Sequence, residues 1–138
     1  MENLVIWAPI MGIFALAFAF VLAVRINNSP AGDKKMQEIS NAIHEGAMAF
    51  LFREYQILLI FVIIMFALIG FFINWPTAIS YTFGSIASVL AGFIGMNVAT
   101  RANVRTAHAA QESQNKALSI AFSGGAVMGM SVVGLGLL

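Results

Sequence analysis

Four stretches of the sequence contain no charged residue and are long enough to cross a lipid bilayer as helices. They are residues 4–24, 56–73, 77–99 and 117–138. A helix rises about 1.5 Å per residue, so a hydrocarbon core about 30 Å thick needs roughly 20 apolar residues. Hydrophobicity does not alternate along these stretches, which argues against the strands of a membrane barrel. The sequence therefore predicts an all-α fold, a polytopic transmembrane helical bundle with four spans.

The overall composition excludes the other broad classes of protein. Of the 138 residues, 60% are hydrophobic and 9% are charged, and the net charge is +1. A soluble domain carries about 25% charged residues, and a disordered chain needs low hydrophobicity. The seven Lys and Arg residues are spread along the chain and form no basic patch, so we expect no nucleic-acid partner. Because the sequence has no cysteine, disulfides and thiolate chemistry are excluded.

The positions of the cations predict how the spans are oriented. All seven lie between the first and second spans or between the third and fourth: Arg25, Lys34, Lys35, Arg53, Arg101, Arg105 and Lys116. Loops rich in Lys and Arg face the cytoplasm. We therefore expect a multi-pass protein of the cell membrane with cytoplasmic loops over residues 25–55 and 100–116. The N-terminus with Glu2, the turn at residues 74–76 and Leu138 would lie on the other side.

Two spans are predicted to continue as helices beyond the bilayer, over residues 33–55 and 100–114. In the first segment apolar residues recur every three or four positions, which indicates one apolar helical face: Met36, Ile39, Ile43, Ala47 and Phe50. Asp33 is the expected N-cap, so a single helix should run from about 33 to 73. In the second segment a polar stripe follows the same spacing: Arg101, Arg105, His108 and Glu112.

Small residues recur every fourth position in the third and fourth spans. The three repeats are Gly84, Ser88 and Gly92; Ala91, Gly95 and Ala99; and Ala121, Gly125 and Gly129. Such faces let membrane helices approach closely, so we expect tight helix packing there. The last span reaches Leu138 without a polar tail. We therefore expect residues 1–138 to be the N-terminal membrane region of a longer protein, whose other helices cover these faces.

Few residues are candidates for chemistry, and each has a simpler interpretation. His44 and Glu45 do not form an HExxH pair, so a solvated helix surface is favoured over a metal site. Arg101 and Arg105 could bind phosphate, but anchoring at the cytoplasmic lipid headgroups is favoured. No ionisable residue lies in the middle of a span, which argues against an ion pathway in this chain. We predict no catalytic, cofactor-binding or metal-binding residue.

Three stretches carry a resemblance to a known family. They are AIHEGAMAFLFREY at residues 42–55, GMNVATRANVRTA at residues 95–107 and AFSGGAVMG at residues 121–129. Together they closely resemble the N-terminal region of membrane-bound, ion-pumping inorganic pyrophosphatases. The second stretch is the most specific of the three, and the resemblance covers nearly the whole chain.

The resemblance implies a large helical membrane enzyme with about sixteen spans in each subunit of a homodimer. Such an enzyme hydrolyses pyrophosphate at the cytoplasmic face with Mg²⁺, in some members with K⁺, and moves H⁺ or Na⁺ across the membrane. The family's substrate and metal ligands lie on helices after the fourth span, so the resemblance carries no site residue onto this chain. The N-terminus of the family is non-cytoplasmic, as the cations independently predict.

Two other interpretations of the sequence remain open. The first is a complete four-span membrane protein with a structural or assembly role and no catalysis. The second is a small channel formed by oligomers, which the apolar middle of every span disfavours. The favoured interpretation is the N-terminal part of a pyrophosphate-energised ion pump, with the lipid bilayer as its surroundings. The 138 residues alone are expected to be inactive.

Overall fold

A computed structural model describes residues 2–138 of the chain, with side chains from residue 6 onward, so the Glu2 side chain lies outside the described part. Its elements are the helices α1 (Glu2–Asn27), α2 (Lys34–Phe72), α3 (Trp75–Glu112) and α4 (Gln114–Leu137). All four are long and apolar enough to cross a membrane. The predicted all-α transmembrane fold is confirmed.

Polar and conformationally restricted residues set the helix ends. The Asp33 side chain accepts a hydrogen bond of 2.8 Å from the backbone N–H three residues later, so it caps α2 as predicted. Gly32, just before it, has a φ of +80°, which favours glycine. Asn74 caps α3 in the same way at 2.9 Å, and Pro76 occupies the first turn. Both long helices predicted from the sequence, near residues 33–73 and 77–114, are continuous.

Helix α3 is the centre of the packing. It contacts the other three helices, and α1 and α4 also pack along each other, whereas α2 contacts α3 alone among the described helices. The buried cluster between α1, α3 and α4 consists mainly of small and medium side chains: Ala19, Ile26, Ala102 and Val127. Small side chains let the backbones lie close, as is usual for helices packed in a membrane. Helix α2 therefore lies at one edge, with most of its circumference uncovered.

The backbones of α1 and α4 approach each other closely at Gly12 and Gly134. A Cβ atom built on Gly12 would lie 2.8 Å from the carbonyl oxygen of Gly134. A Cβ atom on Gly134 would lie 2.7 Å from Leu16 Cγ and 2.9 Å from the carbonyl oxygen of Gly12. Both positions therefore require glycine because any side chain would push the two backbones apart.

The predicted small-residue repeats pack only in part. Gly95 contacts α4, because a Cβ atom there would lie 2.6 Å from Met128 Cγ. Cβ atoms on Gly84, Gly125 and Gly129 would meet nothing within 4 Å. Within the described chain nothing packs on Gly125 and Gly129, so the expectation that other helices cover the Ala121, Gly125 and Gly129 repeat stays a prediction. Helix α4 instead buries the neighbouring face.

Two hydrogen bonds set the register between α2 and α3. His44 Nδ1 lies 2.8 Å from Thr100 Oγ1, and the Tyr55 hydroxyl donates to the Val89 carbonyl oxygen at 2.9 Å. Residues 45–55 therefore lie beside residues 89–99. The sequence predicts that residues 45–55 lie in the cytoplasm and residues 89–99 in the bilayer. Because the two segments lie side by side at the same depth, both predictions cannot hold.

Candidate functional site

Six of the seven cations lie at one end of the bundle, which we call the cationic end: Arg25, Lys34, Lys35, Arg101, Arg105 and Lys116. Contacts between the helices bring them together. The end of α1 is bonded to Arg105, the start of α2 lies beside the last turns of α3, and Lys116 of α4 forms a salt bridge with Glu112 of α3. The polar side chains with long-range contacts also cluster towards this end, which makes it the candidate site.

Arg105 joins α3 to the end of α1. Its Nε donates to the Ser29 carbonyl oxygen and its Nη2 to that of Asn27, both at 3.1 Å. Its Nη1 donates to the Arg101 carbonyl oxygen at 2.8 Å. Carbonyls at a helix C-terminus lack partners within the helix and carry partial negative charge, so a guanidinium stabilises them. Burial, and then the charge of Arg101, lower the pKa of Arg105.

These contacts correct the expectation for Arg105. It does not reach towards lipid headgroups, because all three of its nitrogens donate to backbone carbonyls. Arg101 is exposed, so headgroup anchoring remains a prediction for that residue alone. Beside it is an open cleft of about 200 Å³, whose polar lining comes from α2 and α3: Gln37, Ser40, Asn41, Arg101 and Arg105. Of the two arginines, Arg105 has all its guanidinium nitrogens bonded to backbone carbonyls.

His44 is held against α3 by a hydrogen bond. Thr100 is buried, and its hydroxyl lies 2.8 Å from His44 Nδ1 and 2.9 Å from the Met96 carbonyl oxygen. A threonine hydroxyl has one proton, so the arrangement that satisfies all three groups has Thr100 donating to Met96 and His44 Nδ1–H donating to Thr100. Glu45, its neighbour in the sequence, is exposed. The hydrogen bond therefore ties α2 to α3.

A second polar group lies where α3 turns into α4. His108 has a buried Nδ1 atom with no hydrogen-bond partner among the described residues. It lines a small cavity of about 30 Å³ together with Arg105, Glu112 and Lys116. A hydrogen bond and the charge of Lys116 lower the pKa of the exposed Glu112 carboxyl. This cluster holds the one-residue connection at Ser113 between the two helices.

The cationic end has the geometry of a structural junction. Within the described part of the chain, no three His, Asp or Glu side chains come together as metal ligands. The Asn27–Ser29 segment, which has the pattern of a glycosylation acceptor, ends α1 and is bonded to Arg105. The side chains at this end therefore satisfy helix termini and join helices, among them the buried Thr100 hydroxyl that is hydrogen-bonded to His44.

Taken together, these features define a polytopic helical membrane protein whose polar side chains tie helix ends together at a cationic end. A family model described as inorganic H⁺ pyrophosphatase matches residues 13–138. The chain belongs to the inorganic H⁺ pyrophosphatase family.

Similar proteins come from bacteria and archaea. The chain is 54% identical over 130 residues to a Clostridium tetani protein named for a K⁺-stimulated pyrophosphate-energized sodium pump. It is 45% identical over 140 residues to a K⁺-insensitive pyrophosphate-energized proton pump of Methanosarcina mazei. It is 40% identical over 126 residues to a K⁺-stimulated pyrophosphate-energized sodium pump of Thermotoga maritima. These matches cover 94%, 100% and 90% of the chain but 19%, 21% and 17% of the relatives. The chain thus spans about a fifth of their length.

Proposed function

We propose that this chain is the N-terminal part of a primary ion pump that couples cytoplasmic pyrophosphate hydrolysis to the transport of H⁺ or Na⁺. The observation that carries the proposal is the family match over residues 13–138, together with 40–54% identity to proteins named as such pumps. The relatives are named for either ion and for either response to K⁺. The proposal therefore leaves the ion and the role of K⁺ open.

Within the pump, residues 1–138 would form a supporting layer of helices. Apolar side chains cover most of the outer surface of the four helices, and the long-range polar contacts join helices to one another. The described side chains do not fit a magnesium site, because no three carboxylates or histidines converge. We place the Mg²⁺ ligands and the catalytic residues outside residues 1–138. Bound Mg²⁺ would neutralise charge on the pyrophosphate oxygens.

The proposal includes an orientation and an assembly. The cationic end would face the cytoplasm and the α2–α3 turn the opposite side, in keeping with the enrichment of Lys and Arg in cytoplasmic loops. The full-length pump would be a homodimer in the cell membrane, an assembly that follows from the family resemblance. Hydrolysis and the cationic end would then lie on the same side of the bilayer.

The test uses the full-length protein reconstituted in sealed proteoliposomes. External pyrophosphate with Mg²⁺ should release phosphate and drive uptake of H⁺ or Na⁺, measured with a pH-sensitive dye or with ²²Na⁺, in parallel reactions with and without K⁺. An ionophore that collapses the gradient should abolish net uptake and leave hydrolysis running. Hydrolysis without ion movement, or no hydrolysis at all, would contradict the proposal, and the latter would favour a structural membrane protein.

Residues 1–138 alone should not hydrolyse pyrophosphate, because their described part contains no cluster of carboxylates able to hold Mg²⁺. Phosphate release by the purified chain, measured with and without Mg²⁺, checks this prediction. The purified full-length protein at equal molar concentration serves as the positive control. Magnesium-dependent release by the 138-residue chain would show that catalytic groups lie within it.

A further inference from the structure

One cation lies far from the cationic end. Arg53 is on α2, nine residues beyond His44, which is hydrogen-bonded to Thr100. At about 1.5 Å per residue, Arg53 lies roughly 14 Å further along the bundle axis than His44. Thr100 is level with His44, and Arg101 follows Thr100 directly. The six cations of the cationic end therefore lie at about the level of His44 or further from Arg53 along the bundle axis. That end is where the predicted membrane parts of α1, α3 and α4 stop.

The register between α2 and α3 places Arg53 beside the predicted membrane span of α3. The bonds of His44 and Tyr55 to α3 put Arg53 level with residue 91, in the half of the predicted span 77–99 nearer the cationic end and about 30 Å from Ile73 at the other end of the helix. The bond between Tyr55 and Val89 supports the same depth, because Val89 lies within the predicted span 77–99. Arginine in that position is rare and is normally paired or turned towards the inside of a protein.

The Arg53 side chain points away from the rest of this chain. Leu51 is buried and the Tyr55 hydroxyl is bonded to α3, so that side of α2 faces α3. Arg53 is two residues from each, and at about 100° per residue it lies on the opposite side of the helix. It is exposed, and α2 contacts no other described helix.

Arg53 has no acidic partner in the described chain. Salt bridges among the described residues do not include it. The positions three and four residues away on α2, where a helical partner would lie, hold no acidic residue: Ala49, Phe50, Gln56 and Ile57. Glu54 is adjacent in sequence and therefore points about 100° away.

Three small residues share this outer side of α2 with Arg53. Ala42, Gly46 and Ala49 precede it at spacings of four, three and four residues, and all three are exposed. A Cβ atom on Gly46 would meet nothing within 4 Å. Small residues in this pattern allow another membrane helix to come close. We call these four residues the outer face of α2.

We propose that the outer face of α2 is a docking surface for another transmembrane helix, one that carries a carboxylate at the depth of Arg53. The occupant would come from the remainder of the same polypeptide, so the proposal rests on the proposed function. The chain spans about a fifth of its relatives, so a full-length pump has further length to supply that helix. A carboxylate compensates the charge of Arg53, and the small residues make room for the partner's backbone.

The test introduces a spin label at Ala49→Cys in the full-length protein in proteoliposomes. Collision rates with oxygen, which concentrates in lipid, and with a water-soluble nickel complex report the surroundings of the label. Both rates should be low, as in a protein interior. A high rate with oxygen would show that the face meets lipid, and a high rate with nickel that it meets water. Dipolar coupling between labels on two subunits would assign the face to self-association. Each of these three results would overturn the proposal.

Thermal unfolding of full-length variants supplies an independent readout. Arg53→Leu should lower the apparent Tm by several degrees, Arg53→Lys should restore most of the loss, and Arg101→Leu at the exposed cationic end should change Tm little. An unchanged or raised Tm for Arg53→Leu would refute a paired arginine. Neither readout depends on activity. Absence of pyrophosphate-driven transport by the unmodified full-length protein would therefore refute the proposed function alone. A lipid-exposed label at position 49 would refute the docking surface alone.

Discussion

The crossing of α1 and α4 makes the sharpest stability prediction. In Gly134→Ala the new Cβ atom would lie 2.7 Å from Leu16 Cγ and 2.9 Å from the Gly12 carbonyl oxygen. Contacts this short force the helices apart, and overpacking of this kind costs about 1–3 kcal/mol. Alanine also has a higher helix propensity than glycine, by up to about 1 kcal/mol, which offsets part of the loss.

Gly129→Ala is the matched control, because a Cβ atom on Gly129 would meet nothing within 4 Å in the same helix. The gain in helix propensity is common to both variants and cancels in the comparison. Gly134→Ala should therefore be less stable than Gly129→Ala by about 1–3 kcal/mol. The assay is unfolding of the 138-residue chain in mixed micelles by titration with SDS, followed by circular dichroism. Equal stability of the two variants would refute the close crossing of α1 and α4.

Three further predictions follow from the same contacts. Gly125→Leu should leave the stability of the 138-residue chain unchanged, because Gly125 is open there. In the full-length protein it should lower the Tm, because another helix would pack on this face. An equal Tm for the full-length variant and wild type would mean that the residue faces lipid. Arg105→Gln should speed tryptic cleavage after Arg25 severalfold by releasing the end of α1, whereas an unchanged cleavage rate would contradict that role. Because Lys116 lowers the folded pKa of Glu112, their pair stabilises the fold above the ordinary carboxyl pKa and loses this effect as pH falls through the lower, folded pKa. An NMR titration of Lys116→Met should show the Glu112 pKa moving up, and no movement would refute the ion pair.

The number, type and continuity of the helices are predictable from the sequence. Uncharged apolar stretches are long only where a bilayer is crossed, and Asp33, Asn74 and Pro76 mark helix starts by local chemistry. The long helix α2 also follows from local periodicity, because its apolar spacing continues through the charged segment before residue 56. These features depend on neighbours along the chain.

The contacts between helices are not predictable in the same way. Helix α4 carries small residues on several faces, so the sequence does not distinguish Gly134, which packs on α1, from Gly125, which is open. The hydrogen bond from Arg105 to the Ser29 carbonyl joins positions far apart in the chain. The residues next to Arg105 in the sequence would look the same if its side chain were exposed at a membrane boundary. The depth of Arg53 likewise depends on the register of α2 against α3.

The orientation of the cationic end is the central claim, because pyrophosphate hydrolysis is proposed for the same side of the membrane. The sequence has no cysteine, so single-cysteine variants can be labelled without background. Intact cells expressing the full-length protein are treated with a membrane-impermeant maleimide. Asn74→Cys should be labelled directly, and Lys35→Cys only after the membrane is permeabilised. Labelling of Lys35→Cys in intact cells, with Asn74→Cys protected, would contradict the account.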